Sequence, residues 1–166
     1  MDAPTLEVRI GEILHQRRLT LALAESCTGG LVSHRITNVP GSSAYFLGGI
    51  IAYSYDAKER LLDVRHATLY DTGAVSEQTA IEMAAGARRT FNASITVSVT
   101  GIAGPGGGLP GKPVGLTYIG LSTQFVTFAR KYLWNGDREA NKAQSAEAAL
   151  QLLLDYLNDH NLPGEI

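Results

Sequence analysis

The sequence has little of several features that would indicate a function directly. Cys27 is the only cysteine among 166 residues, so no disulfide can form within the chain and a reducing compartment is favoured. Basic residues do not predominate either, because 14 Lys and Arg stand against 16 Asp and Glu and give a net charge of −2. A general nucleic-acid-binding protein needs a basic surface. We therefore expect no nucleic-acid partner.

Long apolar runs and clustered histidines are also missing. No stretch approaches the roughly 20 apolar residues that a membrane-spanning helix requires, and the N-terminal MDAPTLEVRI lacks the apolar region of a secretory signal. We expect a cytoplasmic protein with no membrane partner. The histidines lie in unrelated segments, at His15, His34, His66 and His160. The sequence therefore predicts no metal site and no bound cofactor.

The apolar residues that are present, 45% of the chain, predict strands that alternate with helices. Two neighbouring strands near the end, separated by about two residues, predict an antiparallel hairpin. We predict one domain over residues 1–166, an α/β/α sandwich of three layers with a mixed, mostly parallel sheet of about five strands. The predicted strands are Leu19–Ala24, Phe46–Ser54, Ile95–Thr100, Val114–Thr123 and Val126–Trp134. The predicted helices are Leu6–Arg18, Gly29–Val39, Asp56–Val64, Thr79–Phe91 and Asp137–Leu157.

Polar stretches follow three of the predicted strands. They are Glu25–Gly30, Tyr53–Lys58 and Thr100–Lys112. In open α/β sheets, ligands bind beyond the carboxyl ends of the strands, where loops lead into helix N-termini. The sequence therefore predicts a binding site at this edge of the sheet.

The first polar stretch, ESCTGG, offers a serine at a strand-to-helix turn. Backbone N–H groups near Thr28 and Gly29 can hold an oxyanion, and Gly29 and Gly30 let a substrate approach the backbone. The simpler alternative is that Ser26 only caps the following helix. Cys27 is the other nucleophile to consider, although a single buried cysteine is more often an apolar filler.

A serine nucleophile needs a base, and Lys58 is the best candidate. It lies in the first turn of a helix for which Asp56 is the predicted N-cap, and both the helix dipole and burial would lower its pKa. Asp56 and Glu59 would act in the opposite direction, and a solvated surface lysine is the alternative. Tyr53 can orient a ligand or relay a proton, or it can be a half-buried core aromatic.

The glycine-rich loop between residues 101 and 113 matches the spacing of a nucleotide-binding P-loop only in part. Pro113 replaces the hydroxyl residue that binds magnesium, and a strand follows where a helix is required, which excludes an NTPase. Thr100, Gly101 and Gly104 can still offer N–H groups to an anion. A mobile surface loop is the equally weighted alternative.

Arg138 begins the last predicted helix, with Asp137 as its N-cap. A guanidinium beside the free N–H groups of a helix start suits a phosphate. An ordinary surface arginine is the alternative.

Several segments together resemble a known family. AESCTGGLVSHRIT, PGSSAYFLGGIIAYS, SVTGIAGPGGG, KPVGLTYIG and GDR, in this order from about Leu6 to Leu157, resemble the C-terminal domain of the competence-damage-inducible protein family, CinA. The resemblance implies an α/β/α sandwich with a mixed sheet. It also implies the activity of stand-alone PncC-type domains, which hydrolyse the carboxamide of nicotinamide mononucleotide to nicotinic acid mononucleotide and ammonia. Association into a homo-oligomer is implied as well.

The resemblance also implies roles for single residues. A serine and a lysine act together without metal or histidine, and the lysine is Lys58. The serine is Ser26 or Ser43, with Ser26 favoured by its turn at the strand end. Tyr53, Thr100 and Arg138 match positions that line the pocket of the family. Two other functions stay open: a non-catalytic module that binds pyridine nucleotides, and an amidase for another small amide.

Overall fold

The computed structural model describes residues 3–162; residues 1–2 and 163–166 of the predicted domain lie outside the described residues. In this range the chain forms a sheet of five strands and six α-helices. The strands are β1 (Leu21–Glu25), β2 (Phe46–Ile51), β3 (Ile95–Gly101), β4 (Leu116–Thr123) and β5 (Thr127–Leu133). The helices are α1 (Leu6–Arg17), α2 (Leu31–Thr37), α3 (Tyr55–Leu62), α4 (His66–Asp71), α5 (Glu77–Phe91) and α6 (Arg138–Asp159).

The strands form one mixed sheet in the order β2-β1-β3-β4-β5. β1 pairs in parallel with β2 on one side and with β3 on the other, whereas β4 is antiparallel to both β3 and β5. The predicted fold class is confirmed, although "mostly parallel" holds only approximately because two of the four pairings are antiparallel. The predicted hairpin of β4 and β5 accounts for one of these antiparallel pairings, since a short turn can join only antiparallel strands.

Helices cover both faces of the sheet and give the expected three layers. On one face α1, α2 and α6 pack against the sheet around a large apolar cluster, and on the other α5 packs against the sheet with α3 and α4 beside it. All five residues of β1 are buried. Its sequence LALAE is almost continuously apolar because both of its faces meet helices and both of its edges are paired.

Details of the helices differ from the predictions. The predicted N-cap of α3, Asp56, is wrong: Ser54 is the cap, and its side chain accepts from the N–H of Ala57 at 3.1 Å. Asp56 instead forms an ion pair with Arg60 at 2.9 Å on the exposed side of α3. The short helix α4 is not predicted by the sequence pattern, because six residues are too few to show a helical period. No helix in residues 3–162 is both long and apolar enough to cross a membrane.

A close contact between α3 and α5 fixes the depth of α3. Gly86 of α5 lies against the last turn of α3, and a Cβ atom at this position would lie 1.8 Å from the carbonyl oxygen of Leu62. The contact is between backbones, so no side-chain rotation can make room for an added atom. Gly86 therefore sets how closely α3, which carries Lys58, can approach the core.

We expect Gly86→Ala to destabilise the protein by about 2–4 kcal/mol, because the two helices must move apart to admit the methyl group. The free energy of unfolding in urea measures this effect. Gly106→Ala is the matched control, since nothing lies within 4 Å of a Cβ atom at Gly106, and it should change stability by less than about 0.5 kcal/mol. Equal stability of the two variants would contradict this account of the α3–α5 contact.

Candidate active site

The polar stretches that follow β1, β2 and β3 meet at one edge of the sheet. The N–H of Ser26 donates to the carbonyl of Val99 at 2.9 Å, which joins the turn after β1 to β3. The N–H of Ala52 donates to the carbonyl of Glu25 at 2.9 Å, which joins the end of β2 to β1. These bonds place the start of α3 beside the turn that carries Ser26.

Lys58 and Ser26 are in direct contact. The Lys58 side chain extends from the first turn of α3, and its Nζ donates to Ser26 Oγ at 2.9 Å. The same nitrogen donates to the carbonyl oxygens of Ala52 at 2.9 Å and Tyr53 at 3.1 Å. Lys58 is 1% exposed and Ser26 is 7% exposed. An ammonium has three hydrogens, so the three oxygens account for all of them and fix the position of the nitrogen.

Burial lowers the pKa of Lys58 to about 8, with a smaller opposing effect from Cys27. Asp56 and Glu59, which the sequence predicts to raise the Lys58 pKa, are not among the groups that shift it. Their carboxylates contact Arg60 and His66 at 2.9 Å and 2.8 Å. A neutral Lys58 would keep two N–H bonds to the carbonyl groups and turn its lone pair toward the Ser26 hydroxyl. The arrangement is therefore suited to removing the Ser26 proton.

Glu25 caps the helix that follows Ser26, and this role is not among the sequence-based predictions. Its buried carboxylate accepts from the N–H groups of Val32 at 2.9 Å and Ser33 at 3.0 Å, and from the Ser33 hydroxyl at 2.7 Å. Glu25 thus caps α2 from the end of β1, and Ser26 is left free of that task. The signal in the sequence was an acidic residue ending an apolar strand just before a helix, where a carboxylate stabilises free N–H groups.

The turn from Ser26 to Gly30 keeps some of its N–H groups free. Gly29 donates to the carbonyl of Ser26 at 3.1 Å, so its N–H is not available for an oxyanion, contrary to our expectation. In the described part of the chain, the N–H groups of Thr28 and Gly30 have no hydrogen-bond acceptor, and the N–H of Cys27 interacts only with its own thiol. Gly29 and Gly30 have φ of 61° and 101°, backbone conformations that favour glycine.

The side chains of Thr28 and Cys27, which follow Ser26 in the turn, are both buried. Thr28 is 1% exposed, and its hydroxyl has no hydrogen-bond partner within residues 3–162. Cys27 lies behind the turn, where a Cβ atom on Gly101 would be 3.1 Å from its sulfur. Burial raises the pKa of the Cys27 thiol to about 11. The thiol thus stays protonated near neutral pH and is a poor nucleophile compared with the Lys58-linked Ser26.

Among the other predicted site residues, Arg138 contacts Gly104 and Tyr53, whereas the Thr100 hydroxyl bonds to a residue outside the predicted site. Arg138 donates to the carbonyl of Gly104 at 2.6 Å and to the hydroxyl of Tyr53 at 3.0 Å, which links three of them. Tyr53 is 60% exposed and is not a core aromatic. The buried Thr100 hydroxyl, by contrast, donates to the carbonyl of Ala74 at 2.7 Å and so has a structural partner.

Ser43 is not brought to Lys58. It lies in a short 3-10 turn (Ser42–Ala44) before β2, whereas Lys58 follows β2. A strand of six residues spans about 20 Å. Ser43 instead lines a cavity of 460 Å³ beside α1, next to Tyr45.

The side chains that could ligate a metal do not cluster in the described residues. Within residues 3–162, no group of three or more His, Cys, Asp or Glu side chains is arranged to hold a metal ion. The Ser26 hydroxyl accepts from the Lys58 amine, whose other hydrogen bonds go to backbone carbonyl groups.

Fold and site together define an α/β/α protein with a buried serine–lysine pair at the carboxyl ends of its parallel strands. The family model of the CinA C-terminal domain matches residues 3–157. A CinA-like protein of Chloroherpeton thalassium is 51% identical over 161 residues, which cover 95% of this chain and 38% of that protein. The chain belongs to the CinA family, and it spans 38% of the length of this curated relative.

Solved structures agree with this assignment. A CinA superfamily protein from Klebsiella pneumoniae superposes with a TM-score of 0.90 at 32% identity, over 93% of this chain and 97% of that one. The competence/damage inducible protein CihA from Agrobacterium tumefaciens gives a TM-score of 0.89 at 38% identity, over 95% and 99% of the two chains. These chains are covered almost completely by the fold described above.

The lowered pKa of Lys58 predicts a pH dependence of stability. Below pH 8 the amine is protonated in both the folded and the unfolded state, and the folded protein carries a buried charge. Between pH 8 and the ordinary value of 10.5 the unfolded state binds more protons, so stability rises with pH relative to a variant without the amine. We expect the difference in unfolding free energy between wild type and Lys58→Met to shift by up to about 3 kcal/mol in favour of wild type.

Urea unfolding at pH 7 to 10 measures this difference. Lys131→Met, at an exposed position of β5, is the control for removing a lysine and should give a flat difference over the same range. A flat difference for Lys58→Met as well would show that Lys58 titrates normally.

Proposed function

We propose that this chain hydrolyses the carboxamide of nicotinamide mononucleotide to nicotinic acid mononucleotide and ammonia, acting in the cytoplasm as a homo-oligomer. The observation that carries the proposal is the contact of 2.9 Å between Lys58 Nζ and Ser26 Oγ, with the Lys58 pKa near 8. The choice of substrate comes from the resemblance to the CinA C-terminal domain. Ser26 and Lys58 are the proposed catalytic residues, and Ser43 is not part of this pair.

In the first half-reaction, neutral Lys58 takes the proton of the Ser26 hydroxyl while Ser26 Oγ attacks the carboxamide carbon. The carbonyl π electrons move to oxygen and give a tetrahedral oxyanion. The N–H groups of Cys27 and Thr28 donate to no backbone carbonyl and are the donors nearest in sequence to the nucleophile, so they would stabilise this charge. When the intermediate collapses, the C–N bond breaks, and protonated Lys58 gives its proton to the departing nitrogen, which leaves as ammonia.

In the second half-reaction, water hydrolyses the Ser26 ester. Lys58, again neutral, removes a proton from water, and the resulting hydroxide attacks the ester carbon. The C–O bond to Ser26 breaks, and Lys58 returns its proton to Ser26 Oγ. The acid product is released, and no redox change or metal ion is required in either half-reaction.

The remaining site residues would bind the nucleotide. Arg138 would hold the phosphate together with Gly101 and Gly104 of the glycine-rich loop, because guanidinium and backbone N–H groups are the usual ligands of phosphate. The Tyr53 hydroxyl accepts from Arg138 and would orient the ligand beside it. Thr100 would contribute through its backbone, since its hydroxyl is bonded to Ala74.

Incubation of the purified protein with nicotinamide mononucleotide should release ammonia and the acid in equal amounts. We expect Ser26→Ala and Lys58→Met to lower kcat by at least about a thousandfold, since each removes a partner of one proton transfer. Ser43→Ala is the matched serine control and should retain activity within a few-fold. Ammonia release and product formation by chromatography are the measurements.

Other results of this experiment would indicate one of the alternative functions or a different nucleophile. Substrate-dependent thermal stabilisation without product would indicate a binding module, and turnover of a different amide alone would indicate another amidase. Full activity in Ser26→Ala would disprove the proposed nucleophile.

The activity should depend on pH through Lys58. Only the neutral amine can act as the base, so kcat/KM should rise with pH and level off above an apparent pKa of about 8. Initial rates at low substrate concentration from pH 6 to 9.5 measure the profile. A rate that is constant or falls through this range would contradict a lysine base.

A further inference from the structure

Lys142 lies over the turn that carries Ser26, yet neither the sequence motifs nor the proposed mechanism gives it a role. It is on the second turn of α6, and a Cβ atom on Gly29 would be 3.9 Å from its Nζ. Its positive charge is near enough to Cys27 to oppose the rise in the thiol pKa. The side chain is only half exposed. Lys142 is thus a partly buried cation beside the turn that carries Ser26 and not a lysine in open solvent.

Lys142 and Arg138 form a pair of cations with no anionic partner. They are four residues apart on α6, so their side chains leave the helix on the same face. Arg138 donates to two neutral oxygens, those of Gly104 and Tyr53. In the part of the chain that the structure describes, neither residue forms an ion pair with a carboxylate. Like charges at this spacing repel, and a bound anion would relieve the repulsion.

The two cations contact different loops at the edge of the sheet that carries Ser26. Arg138 contacts the glycine-rich loop at Gly104 and the end of β2 at Tyr53, while Lys142 lies against Gly29 in the turn after β1. A ligand whose reacting group reaches Ser26 would lie beside the loops that these two cations contact. A dianionic group on that ligand could then contact both cations.

We propose that Lys142 is a specificity-determining residue that, together with Arg138, binds the phosphate of the substrate. The site would thereby select phosphorylated pyridine nucleosides over the uncharged nucleosides. The inference rests on the proposed function for the identity of the pyridine substrate, whereas recognition of the sugar phosphate by the two cations does not depend on amide hydrolysis. Lys142 supplies a compact charge on a flexible stem, and Arg138 supplies a planar fork.

The kinetic test compares nicotinamide mononucleotide with nicotinamide riboside, which lacks the phosphate. Lys142→Gln should raise KM for the mononucleotide by about tenfold to a hundredfold, the effect of one charge-assisted hydrogen bond, and leave kcat nearly unchanged. It should not change kcat/KM for the riboside. Lys142→Arg should recover most of the loss, and Lys131→Gln, which removes an exposed charge on β5, should behave as wild type.

A binding test separates this inference from the proposed function. Ribose 5-phosphate carries the phosphate without any amide, and we expect it to raise the Tm of wild type but not that of Lys142→Gln, with ribose inert toward both. If wild type hydrolyses neither nicotinamide compound but this pattern holds, the proposed function fails and the role of Lys142 stands. Equal stabilisation of both proteins by ribose 5-phosphate would overturn the role, and so would an equal loss of activity on both nicotinamide substrates.

Discussion

The arrangement of this site depends on one buried amine. Lys58 Nζ is held by Ser26 Oγ and by the carbonyl oxygens of Ala52 and Tyr53. A protonated lysine in this position loses its water and gains three hydrogen bonds to neutral oxygens, which compensate only in part for burial. The same burial that makes the amine costly to charge lowers its pKa toward the range in which it can act as a base. Stability and reactivity are therefore opposed at this residue.

Several parts of the fold serve to keep that amine dry and in place. The carbonyl oxygens come from the end of β2, which is joined to β1 through the bond from Ala52 to Glu25. The helix that carries Lys58 is held close to α5 by the backbone contact at Gly86. The Glu25 side chain caps the N-terminus of α2, so the Ser26 hydroxyl is not needed for that purpose.

The last helix has a different relation to the site. α6 packs against α1, α2 and the sheet through a long apolar stripe, but its first two turns extend over the candidate site with Arg138 and Lys142. A helix anchored along most of its length can present charged groups in fixed positions at its exposed end. The core of the protein thus determines where the cations stand, although neither cation belongs to the core.

The fold class, the alternation of strands and helices, and the edge of the sheet where polar groups collect all follow from the sequence alone, because apolar periodicity and turn residues are local signals. It also singled out Ser26 and Lys58, and the resemblance to the CinA family left Ser26 and Ser43 as alternatives. Which of the two serines lies against Lys58 is visible only in the three-dimensional structure. Lys58 is 32 residues from Ser26 and 15 from Ser43, yet it contacts the more distant serine because β1 and β2 run in parallel and carry their following loops to the same edge. The closeness of Lys142 to Gly29 and the burial that shifts the Lys58 pKa likewise depend on contacts between distant segments, which no local pattern encodes.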